Sequence, residues 1–125
     1  MKARILCIED NEQNLYLVSF LLNSKGYEVL QARDGQEGIE LAKRENPDLI
    51  LLDIQLPSMD GYTVAQSLRT NSNLSKVPII AVTSYSIVGD REKAIDSGCS
   101  GFIEKPINPD KFLMQIEECL LCGVN

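Results

Sequence analysis

The stretch Asp48-Leu49-Ile50-Leu51-Leu52-Asp53 limits the possible folds most severely. Leu49 to Leu52 form an unbroken apolar run between two aspartates, and Pro57 ends the pattern after Ile54, Gln55 and Leu56. A strand with one wet face would alternate polar and apolar residues. An unbroken run reads as a strand covered on both faces, the centre of a parallel sheet. Asp53 then stands at the strand's end, where open parallel sheets gather ligands and chemistry. Taken alone, it could equally be a strand terminator or a helix cap.

The flanking sequence repeats one theme. Arg4 to Ile8 reads as a first strand, running into the acidic turn Glu9-Asp10-Asn11. Leu15, Val18, Leu21 and Leu22 recur at helical spacing over residues 12–25, with Asp10 or Asn11 as cap and Gly26 as the left-handed stop. A second strand spans residues 27–32. Asp34 and Glu37 have capping-box spacing for a helix over 35–45, closed by Asn46-Pro47. After the central strand, Ser58-Met59-Asp60-Gly61 forms a turn and a third helix covers 62–69. Residues 70–76 read as a polar loop, 77–83 as a fourth strand and 84–89 as a loop. A weakly apolar helix covers 90–97 up to Gly98, a short strand 101–103, and a last helix 109–121 opens with Pro109. Five strand–helix alternations imply an α/β fold with a parallel sheet and helices on both faces. One domain spanning residues 1–125, ending after its fifth helix with no output domain attached, is the expectation.

Composition removes several classes of function. The net charge is −6 and no lysine–arginine cluster stands out, which argues against direct binding of nucleic acid. No apolar run is long enough for a membrane span and no signal peptide is visible, so a cytoplasmic location is expected. With no histidine, Ser-His-Asp and Cys-His catalysis and histidine-ligated metals are out. Cys7 and Cys99 read as buried small residues. Cys119 and Cys122 form a C-x-x-C at a helix end without the second pair that zinc binding wants.

The ends of strands one, three, four and five carry Glu9-Asp10, Asp53, Thr83 and Lys105. In a parallel sheet these ends share one edge. Each residue has an ordinary explanation: a helix-dipole acid, a β-branched strand residue, a surface lysine. Their joint placement is what asks for a function. Clustered carboxylates repel unless a cation sits among them, and an all-oxygen donor set suits Mg2+. Phosphoryl transfer needs such charge neutralisation more than acid–base chemistry. Asp53 on the central strand is then the nucleophile, with Glu9 and Asp10 at the metal and Lys105 and Thr83 at phosphoryl oxygens.

Glu9-Asp10-Asn11, Leu51-Leu52-Asp53-Ile54-Gln55-Leu56-Pro57, Met59-Asp60-Gly61, Val82-Thr83 and Phe102-Ile103-Glu104-Lys105-Pro106 together resemble the response-regulator receiver domains of two-component signalling. The likeness covers essentially the whole chain and is greatest to stand-alone receivers of the DivK type and to receivers of hybrid kinases. It implies the flavodoxin-like (CheY-like) strand order 2-1-3-4-5. It further implies that Asp53 takes a phosphoryl group from a phosphohistidine on a sensor histidine kinase or a histidine phosphotransfer protein. Asp10 and Asp53 would bind Mg2+ by side chain, Gln55 by its backbone carbonyl and Glu9 through metal-bound water. Thr83 and Phe102 match switch positions, and Lys105 the phosphate-binding lysine, before a cis bond to Pro106. Glu9 departs from the family pattern, in which Asp is commonest at that position.

The expected mechanism is a two-state switch. Phosphorylated Asp53 draws in Thr83, Phe102 turns inward, and the face of helix four, strand five and helix five presents a new surface to a downstream protein. Gln55, Ser84 and Tyr85 are candidates for tuning the phosphate lifetime. The chain is expected to be a monomer or weak dimer and not an enzyme acting on outside substrates. A haloacid-dehalogenase-type phosphatase would want Asp where Gln55 stands, and a flavin carrier would want a phosphate loop where Glu9-Asp10 stands. The remaining alternative is an adaptor that binds partners without phosphorylation.

Overall fold

The computed structural model describes residues 3–56, 59–83 and 90–123. The expectations placed on Pro57, Ser84, Tyr85 and the Cys122 thiol lie outside what is described. The elements follow as β1 (Arg4–Ile8), α1 (Glu12–Ser24), β2 (Glu28–Ala32), α2 (Gly35–Glu45), β3 (Leu49–Asp53), α3 (Gly61–Arg69), β4 (Ile79–Thr83), α4 (Asp90–Asp96), β5 (Gly101–Glu104) and α5 (Pro109–Gly123). The sheet is parallel throughout, in the expected order β2-β1-β3-β4-β5.

β3 holds the centre because all five of its residues are buried. Alternation along the strand sends Ile50 and Leu52 to one core and Leu49 and Leu51 to the other. The first core joins Leu6 and Ile8 of β1 to Ile39 of α2 and to Val64 and Leu68 of α3. The second joins Ile5 and Cys7 to Leu15 and Leu22 of α1 and to Phe112 and Ile116 of α5.

The helices start where the sequence marks them. Asn11 Oδ1 accepts from the Asn14 N–H at 3.0 Å, Asp34 Oδ1 from Glu37 at 2.8 Å and Asp60 Oδ1 from Thr63 at 2.9 Å. Glu37 reaches back to the Arg33 N–H, one residue earlier than a standard capping box. Gly26, at φ 86°, ends α1 as expected, and Asn46, at φ 47°, ends α2.

Two expectations at the far end of the sheet need correction. β4 begins at Ile79, not residue 77. Pro78 has no N–H for the ladder, and the Val77 carbonyl accepts from Arg69 Nη1 at 2.6 Å. The supposed loop 70–76 contains a 3-10 turn, Ser72–Leu74, which buries Leu74. Arg69 organises this end. Its guanidinium also donates to the carbonyls of Leu74 (2.8 Å) and Gly98 (2.9 Å) and to the Ser100 hydroxyl (3.2 Å). The end of α3 is thereby tied to the turn after α4.

Candidate functional site

The site forms where the C-terminal ends of β1, β3, β4 and β5 meet. Glu9 remains on the sheet's ladder, its N–H donating to Ala32 O at 2.9 Å. Its carboxylate is therefore placed by the sheet and not by a loose turn, and its Oε2 accepts from the Asn11 N–H at 3.3 Å. Asp53 closes β3 opposite Val82 of β4. The Gln55 N–H, at 2.8 Å, holds Asp53 Oδ1 and so fixes which way the carboxylate turns. Lys105 arrives from the end of β5, its own N–H donating to Thr83 O at 2.8 Å. Its Nζ lies 3.0 Å from Glu9 Oε1 and 3.5 Å from Asp53 Oδ2. The peptide bond from Lys105 to Pro106 is cis.

Glu9 and Asp53 are each 4% exposed, whereas Asp10 faces solvent. One carboxylate oxygen from each of the three lies within 4.8 Å of the others. Such crowding shows in the acid–base balance. Burial, then a shared hydrogen bond and repulsion with Asp53, push the Glu9 carboxyl up to about 7, with Lys105 opposing. For Lys105, burial disfavours the ammonium, but Glu9 and Asp53 outweigh it and the net direction is upward. An open cluster of oxygen donors, buried on two sides and wet on the third, fits a small hard cation that keeps some of its water.

Thr83 is buried at the end of β4, beside Glu104 in the register. Phe102 pairs with Ala81, two positions earlier on the ladder, and is half-buried against the core beneath α2, α3 and α4. The structure thus gathers Glu9, Asp10, Asp53 and Lys105 into one cluster, with Thr83 joined to it through the Lys105 backbone. Cys7 lies one layer below, where burial and the charges of Glu9 and Asp53 push its thiol upward, away from thiolate chemistry. Cys99 is pushed up to about 11 by burial, and Cys119 is in no disulfide. Sequence reasoning missed the Asn11 and Gln55 amides that orient the two buried acids. Backbone donors leave no mark on residue type.

A model of the response regulator receiver domain matches residues 5–117. The chain belongs to this family. Polar-differentiation response regulator DivK of Brucella ovis is 39% identical to this receiver over 120 residues, covering 96% of this chain and 98% of its own; DivK of Brucella abortus matches equally. The receiver domain of sensor histidine kinase PA1611 from Pseudomonas aeruginosa, whose crystal structure has a magnesium ion coordinated in the active site cleft, superposes with a TM-score of 0.89. It is 32% identical, over 96% of this chain and 98% of its own. A CheY-like receiver from Methanospirillum hungatei superposes with a TM-score of 0.92 at 29% identity, over 98% and 97% of the two chains. This receiver is accordingly a component of two-component signalling, a system in which histidine kinases or phosphotransfer proteins are the partners. No helix among the described residues is long and apolar enough to cross a membrane.

Proposed function

We propose that residues 1–125 act as one phosphoacceptor unit in which Asp53 takes a phosphoryl group from a partner's phosphohistidine. The observation that carries this reading is the placement of Lys105 Nζ between Glu9 and Asp53, 3.0 and 3.5 Å away, at the mouth of an open carboxylate cluster. The lysine is where a phosphoryl oxygen on Asp53 would need a positive charge. An Asp53 oxygen attacks phosphorus, and the bond from phosphorus to the imidazole nitrogen breaks with its electron pair returning to the ring. Asp10 and Asp53 would hold Mg2+ by side chain, Gln55 by its carbonyl and Glu9 through water. When bound, the ion neutralises charge on the phosphoryl oxygens. The chain's own groups do the rest. The Gln55 N–H keeps the carboxylate in one orientation. Lys105 exchanges a carboxylate partner for the phosphoryl group, and Thr83, linked to Lys105 through the backbone, follows it.

The response then passes to the α4–β5–α5 face. On the β5–α5 part of that face, a groove of about 470 Å3 runs from Lys105 and Pro106 past Phe102 and Glu104 to Lys111 and Gln115. It supports a downstream protein docking at this face, since one wall contains the site lysine. The receiver would act in the cytoplasm, where cysteines outside disulfides stay reduced, as a monomer or weak dimer, and without turning over an outside substrate. The assembled acids and lysine do not favour a phosphorylation-independent adaptor. The test is intact mass after incubation with Mg2+ and either acetyl phosphate or a phosphorylated histidine phosphotransfer domain. One hydroxylamine-labile phosphoryl group is expected, absent in Asp53→Asn. No adduct from either donor would overturn the proposal.

A further inference from the structure

We infer that Gly61 is a positioning residue for the phosphoacceptor: its missing side chain sets the distance between α3 and the backbone that carries Asp53 and Gln55. This rests on the phosphoacceptor reading and adds to it a group that touches neither metal nor phosphate.

Gly61 opens α3, directly after its cap Asp60. Glycine is a poor helix former, so its use at a helical position asks for a reason. Backbone freedom is not that reason, since among the described residues positive φ occurs only at Gly26, Asn46 and Gly98. Space is. A Cβ at residue 61 would stand 2.5 Å from Ile54 Cα, 2.8 Å from Ile54 Cδ1 and 2.9 Å from Asp53 O. Gly35, Gly38 and Gly98 are also crowded, but their nearest neighbours are side-chain atoms of Val64, Ile8 and Arg69 and not main chain. At Gly61 two of the three nearest atoms are main chain, and they belong to the phosphoacceptor and the residue after it. The contact is held from both sides. The Gly61 N–H donates to Ile54 O at 3.0 Å, and Val64, Ala65 and Leu68 are fully buried. α3 therefore cannot slide away cheaply.

A methyl group at this position has to be absorbed by the segment from Asp53 to Gln55. Its N–H at Gln55 fixes Asp53 Oδ1, and its Gln55 carbonyl is the expected backbone ligand of Mg2+. A displacement of about 1 Å at a reacting group can cost on the order of 100-fold. Gly61 thus acts through the strand end on both the metal site and the nucleophile.

The experiment compares Gly61→Ala with Leu68→Ala, which removes a fully buried side chain about 10 Å further along the same helix. Mg2+ affinity is measured by calorimetry, phosphorylation by acetyl phosphate through intact mass, and folding by thermal melting. Gly61→Ala is expected to weaken Mg2+ binding at least about tenfold and slow phosphorylation by about 10- to 100-fold. Leu68→Ala, destabilised as much or more, keeps its Mg2+ affinity within about twofold of wild type. Wild-type affinity in Gly61→Ala would overturn the inference, as would equal losses in both variants. If Gly61→Ala does not fold, Asp60→Ala replaces it. That variant removes the cap from the turn carrying Gly61 and is expected to weaken Mg2+ binding about two- to fivefold; an unchanged affinity would overturn the inference. Absence of Mg2+ binding by the wild type would instead strike the phosphoacceptor reading itself.

Discussion

β3, which carries Asp53, and α4, on the proposed output face, are held by different means. β3 is clamped between two strands and two cores, and every one of its residues is buried. Beyond it, the Gln55 amide and the close approach of Gly61 fix the end that matters. α4 has seven residues, of which Ala94 is buried while Ile95 is 52% exposed. Its C-terminal end is pinned: the Ser97 hydroxyl donates to Lys93 O at 2.8 Å, Gly98 turns the chain at φ 111°, and Arg69 grips the Gly98 carbonyl. Its middle is steadied by Lys93 Nζ, 4.6 Å above the Tyr62 ring. The chemistry sits on structure fixed many times over. Among the described residues, the element expected to answer it is held at its C-terminal end and at Lys93.

Core truncation should separate the two regions most. Ile50→Ala in β3 is expected to cost about 2–5 kcal/mol in urea unfolding, and Ile95→Ala in α4 within about 0.5 kcal/mol. Similar losses would erase the distinction. The next effect is electrostatic and belongs to the β1–β3 side. Glu9 is held near 7 in the folded chain against an ordinary 4.5, so the folded state binds the extra proton between those values. Its contribution is full below about 4.5 and is lost as pH rises through about 7. In EDTA, wild type should lose at most about 3 kcal/mol between pH 5 and pH 8 from this source, and Glu9→Gln should lack that loss. A wild type as stable at pH 8 as Glu9→Gln, relative to pH 5, would count against the buried acid pair. The smallest effect is local. Lys93→Gln removes a cation–π contact of about 0.5–1 kcal/mol. Amide exchange in α4 should quicken about two- to fivefold, with exchange in β3 unchanged. Equal changes in both elements would join what the comparison separates.

Much of this was legible in residue order. The apolar run of β3, the caps Asn11 and Asp34 and the stops Gly26 and Asn46-Pro47 set the architecture because each is a local signal with a local cause. Glu9, Asp10, Asp53 and Lys105 could be read as one cluster because strand ends in a parallel sheet share an edge. What stayed hidden depends on contacts between distant segments. In the sequence, Arg69 is only the last residue of a helix, yet its carbonyl partners at 74, 77 and 98 come from two later turns. Val77 looked like strand because its type is right, and it is the Arg69 guanidinium that takes its carbonyl. Gly61 read as part of a turn, since nothing in its neighbours announces that a strand's backbone passes 2.5 Å from its absent Cβ.

The bridge from Lys105 to Glu9 and Asp53 has a consequence for supply. An internal cation already bridges the acid pair, so the repulsion between Glu9 and Asp53 is offset before any divalent ion arrives. An arriving ion would then share the acid pair with the ammonium, and by linkage each would loosen the other. In the proposed reading, Lys105 is a tethered counter-ion with which a divalent ion would exchange. The site's occupancy would follow the free ion concentration around it, and by the same linkage a bound ion would add to the stability of the folded chain.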